Sequence, residues 1–390
     1  MIALTGAQIH TMTGAVIEQG TVLVRAGKIA AVGTGIEVPA DYRTLDVSGK
    51  VITPGLIDAH THLGVYSEAL AWAGEDGNES SGPVTPGMDV LDALYPDDVG
   101  LSDAAAGGIT TVMVAPGSAN PVGGQCVIIK TRQRATVEEM ILRRHAGLKI
   151  AFGENPRRVY GQREKAPVTR MAVANLIRQT LVKGKEYLLA DGKEDRKYDL
   201  DMEAVARVLK REMPLRAHAH RADDIVTALR IAREFDVDII IEHATEGHRI
   251  AGWLARENAR LVLGPNLTTR SKMELKSRSI AGAAVLAEHG VTFALMSDHP
   301  VLPSALLPVY AGLASRYGLS ADRALRAITA DAADISGVAD RVGSLAAGKD
   351  ADLVVWDDHP LLLAAKPRLV MIDGVLSQVD EEQTLGGWEG

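Results

Sequence analysis

Four short segments of this chain end in side chains that commonly bind divalent metals. Each contains or follows a run of apolar residues, which indicates a buried strand. α/β barrels build their active sites at the carboxyl ends of their strands, where several strand ends meet. The segments are Asp58–His62, Arg216–His220, Ile240–His243 and Met296–Asp298. This pattern predicts a barrel with a metal site, the arrangement of a metallohydrolase.

Composition fits a large folded chain and argues against two classes of partner. With 390 residues, 46% of them hydrophobic, the chain can bury a large core. Its 42 basic and 50 acidic residues give a net charge of -8 without long blocks of one sign, so we expect no nucleic-acid partner. No apolar run reaches the about 18 residues that a membrane span requires, so we expect no membrane partner.

Cysteine use and the amino terminus favour a cytoplasmic location. Cys126 is the single cysteine, which excludes an intramolecular disulfide. The first residues, Met1–Gly6, lack the charged region and the apolar stretch of a signal peptide. We therefore expect a cytoplasmic protein with a small-molecule substrate, and homo-oligomer formation stays open.

Short β segments at both ends of the chain predict a small composite domain. Turns separate strand-like segments before residue 50, and more such segments follow residue 350. A short sheet must bury its apolar face against a second sheet. We expect residues 1–52 and 346–390 to form one β-sandwich together.

Between the ends, strands alternate with helices, which predicts a parallel sheet covered by helices. Helical spacing is clearest at Met202–Lys210 and Ile225–Phe235, and Gly74–Pro96 is predicted to be a long loop. The candidate strands are Thr53–Asp58, Ile109–Ala115, Cys126–Lys130, Leu148–Phe152, Pro214–Ala217, Asp238–Glu242, Arg260–Leu263 and Val291–Met296. Eight strands predict an α/β fold, a (β/α)8 TIM barrel over residues 53–345.

The histidines at these strand ends are candidate metal ligands. His60 and His62 can share one ion, because side chains in an extended strand alternate with period two and these two point the same way. His218 and His243 end the fifth and sixth candidate strands, and imidazole is a favoured ligand of zinc. The alternative for each is a hydrogen-bonded core histidine.

Asp298 is the candidate general base. It follows the last candidate strand, where a carboxylate can touch a metal with one oxygen and accept a proton from water with the other. The alternative is an N-cap aspartate at the start of a helix.

A second ion would need an anionic bridge, because two close divalent charges repel strongly at low dielectric constant. Glu154 is the predicted bridge and metal ligand, since it follows the carboxyl end of the fourth candidate strand. Lys149 begins that strand and is expected to point toward the opposite mouth of the barrel. Lys130, if carbamylated, and Cys126 are the alternatives.

Three residues after strand ends are candidates for contacts with the substrate. They are His220, Tyr160 and Arg270. Arg270 could clamp a substrate carboxylate with its forked donors, and the alternative is a solvated loop arginine. His220 has the same period-two relation to His218 as His62 has to His60, and the alternatives are a histidine that orients a ligand or an exposed one.

Several of these segments together carry a resemblance to a known family. Val51–His62 resembles the first-strand signature of the amidohydrolase superfamily, and Ala217–His220 and Ile241–His243 resemble its fifth- and sixth-strand segments. Val342–Val355 resembles the segment that returns the chain to the small sandwich. Over nearly its whole length, the chain is similar to the imidazolonepropionase and Xaa-Pro dipeptidase-like branch.

The resemblance implies a distorted (β/α)8 barrel with a composite β-sandwich and one or two divalent ions, with Zn²⁺ favoured. The implied metal ligands are His60, His62, His218, His243 and Asp298. Many members with two ions carry a carbamylated lysine on the third or fourth strand. The segment Phe152–Pro156 looks more like the variants that glutamate bridges, so the number of ions stays open.

The favoured function is hydrolysis of a carbon–nitrogen bond in an amide, cyclic amide or dipeptide-like substrate. One alternative is deamination of a heterocycle. The superfamily's deaminases commonly place glutamate two residues after the fifth-strand histidine, where this chain has His220. Another alternative is a non-catalytic assembly protein, although relatives of that kind usually lose metal ligands and this chain retains them.

Overall fold

The computed structural model describes residues 1–132, 134–191 and 197–379. The sixteen strands of this part of the chain are β1 (Ile2–Ile9), β2 (Ile17–Arg25), β3 (Lys28–Gly33), β4 (Arg43–Asp46), β5 (Val51–Pro54), β6 (Leu56–Thr61), β7 (Ile109–Val114), β8 (Val122–Lys130), β9 (Ile141–Ala151), β10 (Leu215–Ala219), β11 (Ile239–His243), β12 (Arg260–Leu263), β13 (Thr292–Leu295), β14 (Leu353–Trp356), β15 (Pro367–Ile372) and β16 (Val375–Val379). They form two sheets of eight strands each.

Helices cover the second sheet and follow most of its strands. They are α1 (Val99–Ala106), α2 (Glu154–Gly161), α3 (Arg170–Leu189), α4 (Leu200–Leu209), α5 (Ala222–Phe235), α6 (Ala251–Arg256), α7 (Gly282–Glu288), α8 (Leu307–Arg316), α9 (Ala321–Arg326) and α10 (Ala330–Ser336). The helices predicted at Met202–Lys210 and Ile225–Phe235 correspond to α4 and α5. Among the described residues, the helices are too short or too polar to span a lipid bilayer.

The first sheet joins the two ends of the chain. Its strand order is β16-β15-β14-β5-β1-β2-β3, and β4 pairs with β1. The sheet curls over a core that includes Leu4, Ile29, Ile52 and Val355, and Ile29 N donates to Lys349 O at 2.9 Å across the fold. The predicted β-sandwich from both termini is confirmed as part of the fold class. Its domain boundaries stay a prediction, and residues 380–390 lie outside the described part.

The second sheet is the barrel, in the order β13-β12-β11-β10-β9-β8-β7-β6. Strands β9 to β13 run parallel, as do β6 and β7, and the loop after β13 meets the end of β6 where Asp298 N donates to His60 O at 3.2 Å. This nearly closed barrel confirms the predicted distorted TIM barrel.

Strand β8 departs from the expected parallel pattern, because it is antiparallel to both β7 and β9. Its connections to these neighbours are short, and their described residues form no α-helix. A parallel crossover needs a dozen or more residues, usually with a helix, so these connections permit only reversal. The carboxyl end of β8, with Lys130, therefore lies at the opposite mouth from the carboxyl ends of the parallel strands.

Gly55 divides the strand that was predicted at Thr53–Asp58. Strand β5 belongs to the first sheet and β6 to the barrel, so the chain passes between the two sheets at this glycine. A Cβ atom here would lie 2.1 Å from Oγ1 of Thr110 on β7. The crossing therefore requires glycine.

The chain between β6 and α1 forms the long loop predicted around Gly74–Pro96. Asp98 stabilises the start of this loop, because its carboxylate accepts hydrogen bonds from Gly64 N at 2.8 Å and Glu68 N at 3.0 Å. Because the loop follows β6, it lies at the barrel mouth where the strand-end histidines lie, and its residues Tyr66 and Asn78 line a cavity there.

Candidate metal centre

Five histidines and one aspartate from four strand ends line a single cavity of about 440 Å³. They are His60 and His62 at the end of β6, His218 and His220 at the end of β10, His243 at the end of β11, and Asp298 after β13. Strands β10 and β11 run in parallel register, with Ala219 opposite His243, which brings these histidines to one level. The structure thus brings together the predicted strand-end residues.

Four of these imidazoles are oriented in the same way, through a hydrogen bond at Nδ1. The partners are Glu242 Oε1 for His60 at 2.9 Å, Ala115 O for His62 at 2.8 Å, Thr245 Oγ1 for His220 at 2.8 Å and Gly264 O for His243 at 2.9 Å. Metal-binding histidines usually donate their second ring nitrogen to such a group. Nε2 is therefore left to bind a ligand.

Asp298 lies against the first histidine pair. Its Oδ1 is 3.3 Å from His60 Nε2 and 3.4 Å from His62 Nε2. Burial alone would raise the pKa of Asp298, but His243 and hydrogen bonds from His60 and His62 hold it well below its usual value. Asp298 is therefore ionised at neutral pH.

Asp58 holds the segment that carries Asp298. Its carboxylate accepts hydrogen bonds from Ser297 N at 3.1 Å and Ser304 Oγ at 2.9 Å. Burial raises the pKa of Asp58 to about 6, although these hydrogen bonds oppose the rise. Asp58 thus positions Ser297, the residue that precedes Asp298.

The donor atoms of this cluster suit a divalent ion. Two groups, His218 with His220 and His243, and His60 with His243 and Asp298, each have ligand atoms within 4.8 Å of one another. Burial, followed by nearby imidazoles, holds the pKa values of His218 and His220 well below the usual range, and burial lowers the pKa of His243 to about 3. These imidazoles are neutral at pH 7, which is the form that binds metals.

A buried group of charges lies beneath the histidines. The carboxylate of Glu242 contacts Lys149 Nζ, accepts a hydrogen bond from Arg216 Nε at 2.8 Å and contacts His60. Burial alone would raise the pKa of Glu242, but His60, Lys149 and Arg216 hold it well below its usual value. Glu242 therefore connects the barrel interior to a candidate ligand.

Lys149 is a correction to the sequence prediction. It was expected to face the opposite mouth, yet it is fully buried and lines the same cavity as the histidines. In the register of β9 and β10, Lys149 is opposite Arg216, and Arg216 lies two residues before His218. The long side chain of Lys149 extends from this position to the level of the histidines. Lysine inside an apolar strand was the signal that could have identified it.

Glu154 is a second correction. It lies in the first turn of α2, its backbone N donates to the Glu274 carboxylate, and its side chain lines an outer groove instead of the metal cavity. The next residue, Asn155, lines the cavity, with Nδ2 3.5 Å from His218 Nε2. Where the strand ends, the helix begins at once, and its first turn directs Glu154 outward.

The alternative bridges lie elsewhere too. Lys130 pairs with Asp350 at 3.1 Å and with Asp352, at the mouth next to the first sheet, because β8 is reversed. Cys126 is buried in the barrel interior, and burial raises the pKa of its thiol to about 12. A protonated thiol is a poor metal ligand.

Two of the predicted substrate residues do not reach the cavity. Tyr160 is fully buried, and its hydroxyl lies 2.6 Å from both Gly82 O and Asn120 Oδ1, either of which can accept its one hydrogen. Arg270 is exposed and donates to the backbone of Lys276 and Arg278. Both side chains follow strand ends, but the fold of the following loop, which the sequence pattern does not show, decides where they point.

Two cations missed by the sequence analysis do line the cavity. Lys272 is largely buried, with Nζ 3.2 Å from Asn155 Oδ1 and 3.7 Å from Glu274 Oε2. Arg158 lies exposed on the cavity wall. Burial lowers the pKa of Lys272, although the carboxylates of Glu274 and Asp298 oppose the shift. No strand-end pattern marks either residue.

Comparison with known proteins identifies the family. The sequence model of the amidohydrolase family matches residues 51–379. The chain belongs to this family. An amidohydrolase is a hydrolase that acts on carbon–nitrogen bonds, and members typically bind a divalent metal. The imidazole and carboxylate donors described above fit such an ion.

Individual amidohydrolase relatives agree with this assignment. The chain is 30% identical to amidohydrolase tasK of Hapsidospora irregularis over 94% of its own length but only 40% of the length of tasK. It is 27% identical to an imidazolonepropionase of Mesorhizobium japonicum, over 88% of this chain and 87% of that protein. The crystal structure of an amidohydrolase from Thermotoga maritima matches with a TM-score of 0.94 and 45% identity, over 97% of this chain and 100% of that chain.

Proposed function

We propose that this amidohydrolase cleaves the carbon–nitrogen bond of an amide, cyclic amide or dipeptide-like substrate in the histidine-lined cavity, with one or two divalent ions, Zn²⁺ being favoured. The observation that carries the proposal is the convergence of His60, His62, His218, His243 and Asp298 on one cavity, where imidazole and carboxylate donors lie close together. A bound divalent ion supplies an acidified water and polarises the carbonyl. A cytoplasmic location and a homo-oligomer stay predictions.

In this proposal Asp298 transfers the proton. Both of its contacts with His60 and His62 use Oδ1, so we assign proton transfer to Oδ2. An ionised carboxylate can accept a proton from the attacking water and return it to the leaving nitrogen. The hydrogen bond from Asp298 N to His60 O holds the backbone in place for both steps.

The charges around the cavity favour a substrate with a carboxylate. Apart from Asp298, the charged side chains that line it are the cations Lys149, Arg158 and Lys272, and Lys149 is already paired with Glu242. Lys272 connects through Asn155 to His218, which places a cation beside the candidate metal ligands. We propose that Lys272 and Arg158 bind this carboxylate, the role predicted for Arg270.

The Lys272→Gln variant tests this substrate class. We expect the native enzyme to hydrolyse N-acyl amino acids better than the corresponding carboxamides. Since a hydrogen bond to a charged group contributes about 1.5–3 kcal/mol, the variant should lose roughly 10- to 150-fold in kcat/KM on the carboxylates and little on the carboxamides. Steady-state kinetics on both series measures the difference.

The matched control is Lys276→Gln, since Lys276 is exposed in the outer groove and does not line the cavity. Equal turnover of carboxylates and carboxamides by the native enzyme would contradict the proposed binding of a substrate carboxylate by Lys272 and Arg158. It would not contradict the proposed hydrolysis. Failure of the metal-loaded enzyme on dipeptides, N-acyl amino acids and cyclic ureas would contradict the proposed reaction itself.

A further inference from the structure

His220 repeats on β10 the pairing that His62 makes on β6. The ring centroids of His218 and His220 lie 4.7 Å apart, and those of His60 and His62 lie 5.0 Å apart. From its place after the fifth candidate strand, His220 was expected to contact the substrate, with a histidine that orients a ligand or an exposed one as the alternatives. We propose instead that His220 is a metal ligand and completes a site of three imidazoles with His218 and His243.

The environment of the His220 ring supports ligation. Nδ1 is fixed by Thr245 Oγ1 at 2.8 Å, while Nε2 is buried and has no hydrogen-bond partner among the described residues. A buried polar atom without a partner costs about 1–3 kcal/mol. A shared ion would satisfy such an atom, so the burial of His220 Nε2 points to a ligand.

The distances within the group fit one ion. The ligand atoms of His218, His220 and His243 all lie within 4.8 Å of one another. Nitrogens that bind one tetrahedral zinc at about 2.0–2.1 Å lie roughly 3.4 Å apart, so only a small closing movement is needed. The ring centroids of His220 and His243 lie 4.4 Å apart, so these two side chains are immediate neighbours in the group.

A three-imidazole site changes what a second ion would require. Three protein ligands with one open position suffice for a catalytic zinc site. An ion held by His218, His220 and His243 therefore needs no carboxylate from Glu154, which the fold directs away from the cavity. The inference rests on the proposed metal site, and binding measurements test it without reference to any substrate.

The test is metal binding by the His220→Asn variant of the full chain. Metal-free protein is titrated with Zn²⁺ against a chromophoric chelator, and with Co²⁺ while its visible absorption is recorded. Changes to groups that only orient a ligand typically weaken binding 10- to 100-fold, so loss of a ligand should weaken it at least about tenfold. The Co²⁺ spectrum should change as well, because the donor set changes.

Thr245→Val provides a second variant that leaves the histidine in place. It removes the hydrogen bond that orients the ring, and we expect Zn²⁺ binding about 10- to 100-fold weaker than in the native protein. His289→Asn is the control, since His289 is exposed and does not line the cavity. Native Zn²⁺ affinity and a native Co²⁺ spectrum in folded His220→Asn would overturn the proposal. If that variant does not fold, native affinity in Thr245→Val would do so.

Discussion

Replacement of Asp298 by Asn should reduce kcat by about 10²–10⁴-fold, the range that general acid–base catalysis contributes. The amide keeps the shape of the side chain and an oxygen near His60 and His62, but it cannot accept the proton. We therefore expect the bound metal to be largely retained while turnover is lost. Kinetics on an N-acyl amino acid, with metal content measured on the same sample, separates the two effects.

The control for this variant is Asp322→Asn, an exposed aspartate in the first turn of α9. It removes the same charge far from the cavity and should leave kcat unchanged. Near-native turnover in Asp298→Asn with a full metal complement would remove Asp298 from the mechanism. Loss of metal together with turnover would contradict the expected retention of the metal and show that the carboxylate is required to bind it.

Arg216→Met should lower the free energy of unfolding of the metal-free protein by about 3 kcal/mol. Breaking a buried ion pair costs about 3–5 kcal/mol because a buried charge remains. The lower end applies, since Lys149 still contacts Glu242 after the change. Arg216 also donates to Ala59 O at 2.6 Å, so β6 loses a contact just before His60.

Arg211→Met is the matched control, because Arg211 forms an exposed pair with Asp236. Exposed pairs contribute at most about 1 kcal/mol, so this variant should be close to native. Chemical denaturation after metal removal compares the two variants without a contribution from ligand binding. Similar free energies of unfolding for both variants would show that the buried ion pair of Arg216 and Glu242 does not stabilise the fold.

The sequence pattern predicted the convergence of the strand-end side chains because two regularities act together. Side chains alternate along a strand, so His60 and His62 share a direction. The carboxyl ends of parallel strands meet at one mouth of a barrel, so His218, His243 and Asp298 arrive beside them. Both regularities concern backbone geometry, which short apolar runs reveal.

The remaining residues depend on geometry that the apolar pattern does not contain. The reversal of β8 follows from its short connections. Because of this reversal, Lys130 lies at the barrel mouth opposite the histidines, where it cannot bridge two metal ions. The first turn of α2 decides between Glu154 and Asn155. Lys149 was misjudged because its position on the strand was considered without the length of its side chain. The conformations of the loops after the strands place Tyr160 outside the cavity and Lys272 in its wall.

The measurement closest to the central claim is metal content and hydrolysis followed together on one preparation. The protein is purified without chelator, its divalent metal per chain is measured, and hydrolysis is recorded before chelation, after chelation and after Zn²⁺ is returned. We predict at least one ion per chain, loss of hydrolysis on its removal and recovery on its return. Full hydrolysis by metal-free protein would contradict the assignment of the histidine cluster as a catalytic metal centre.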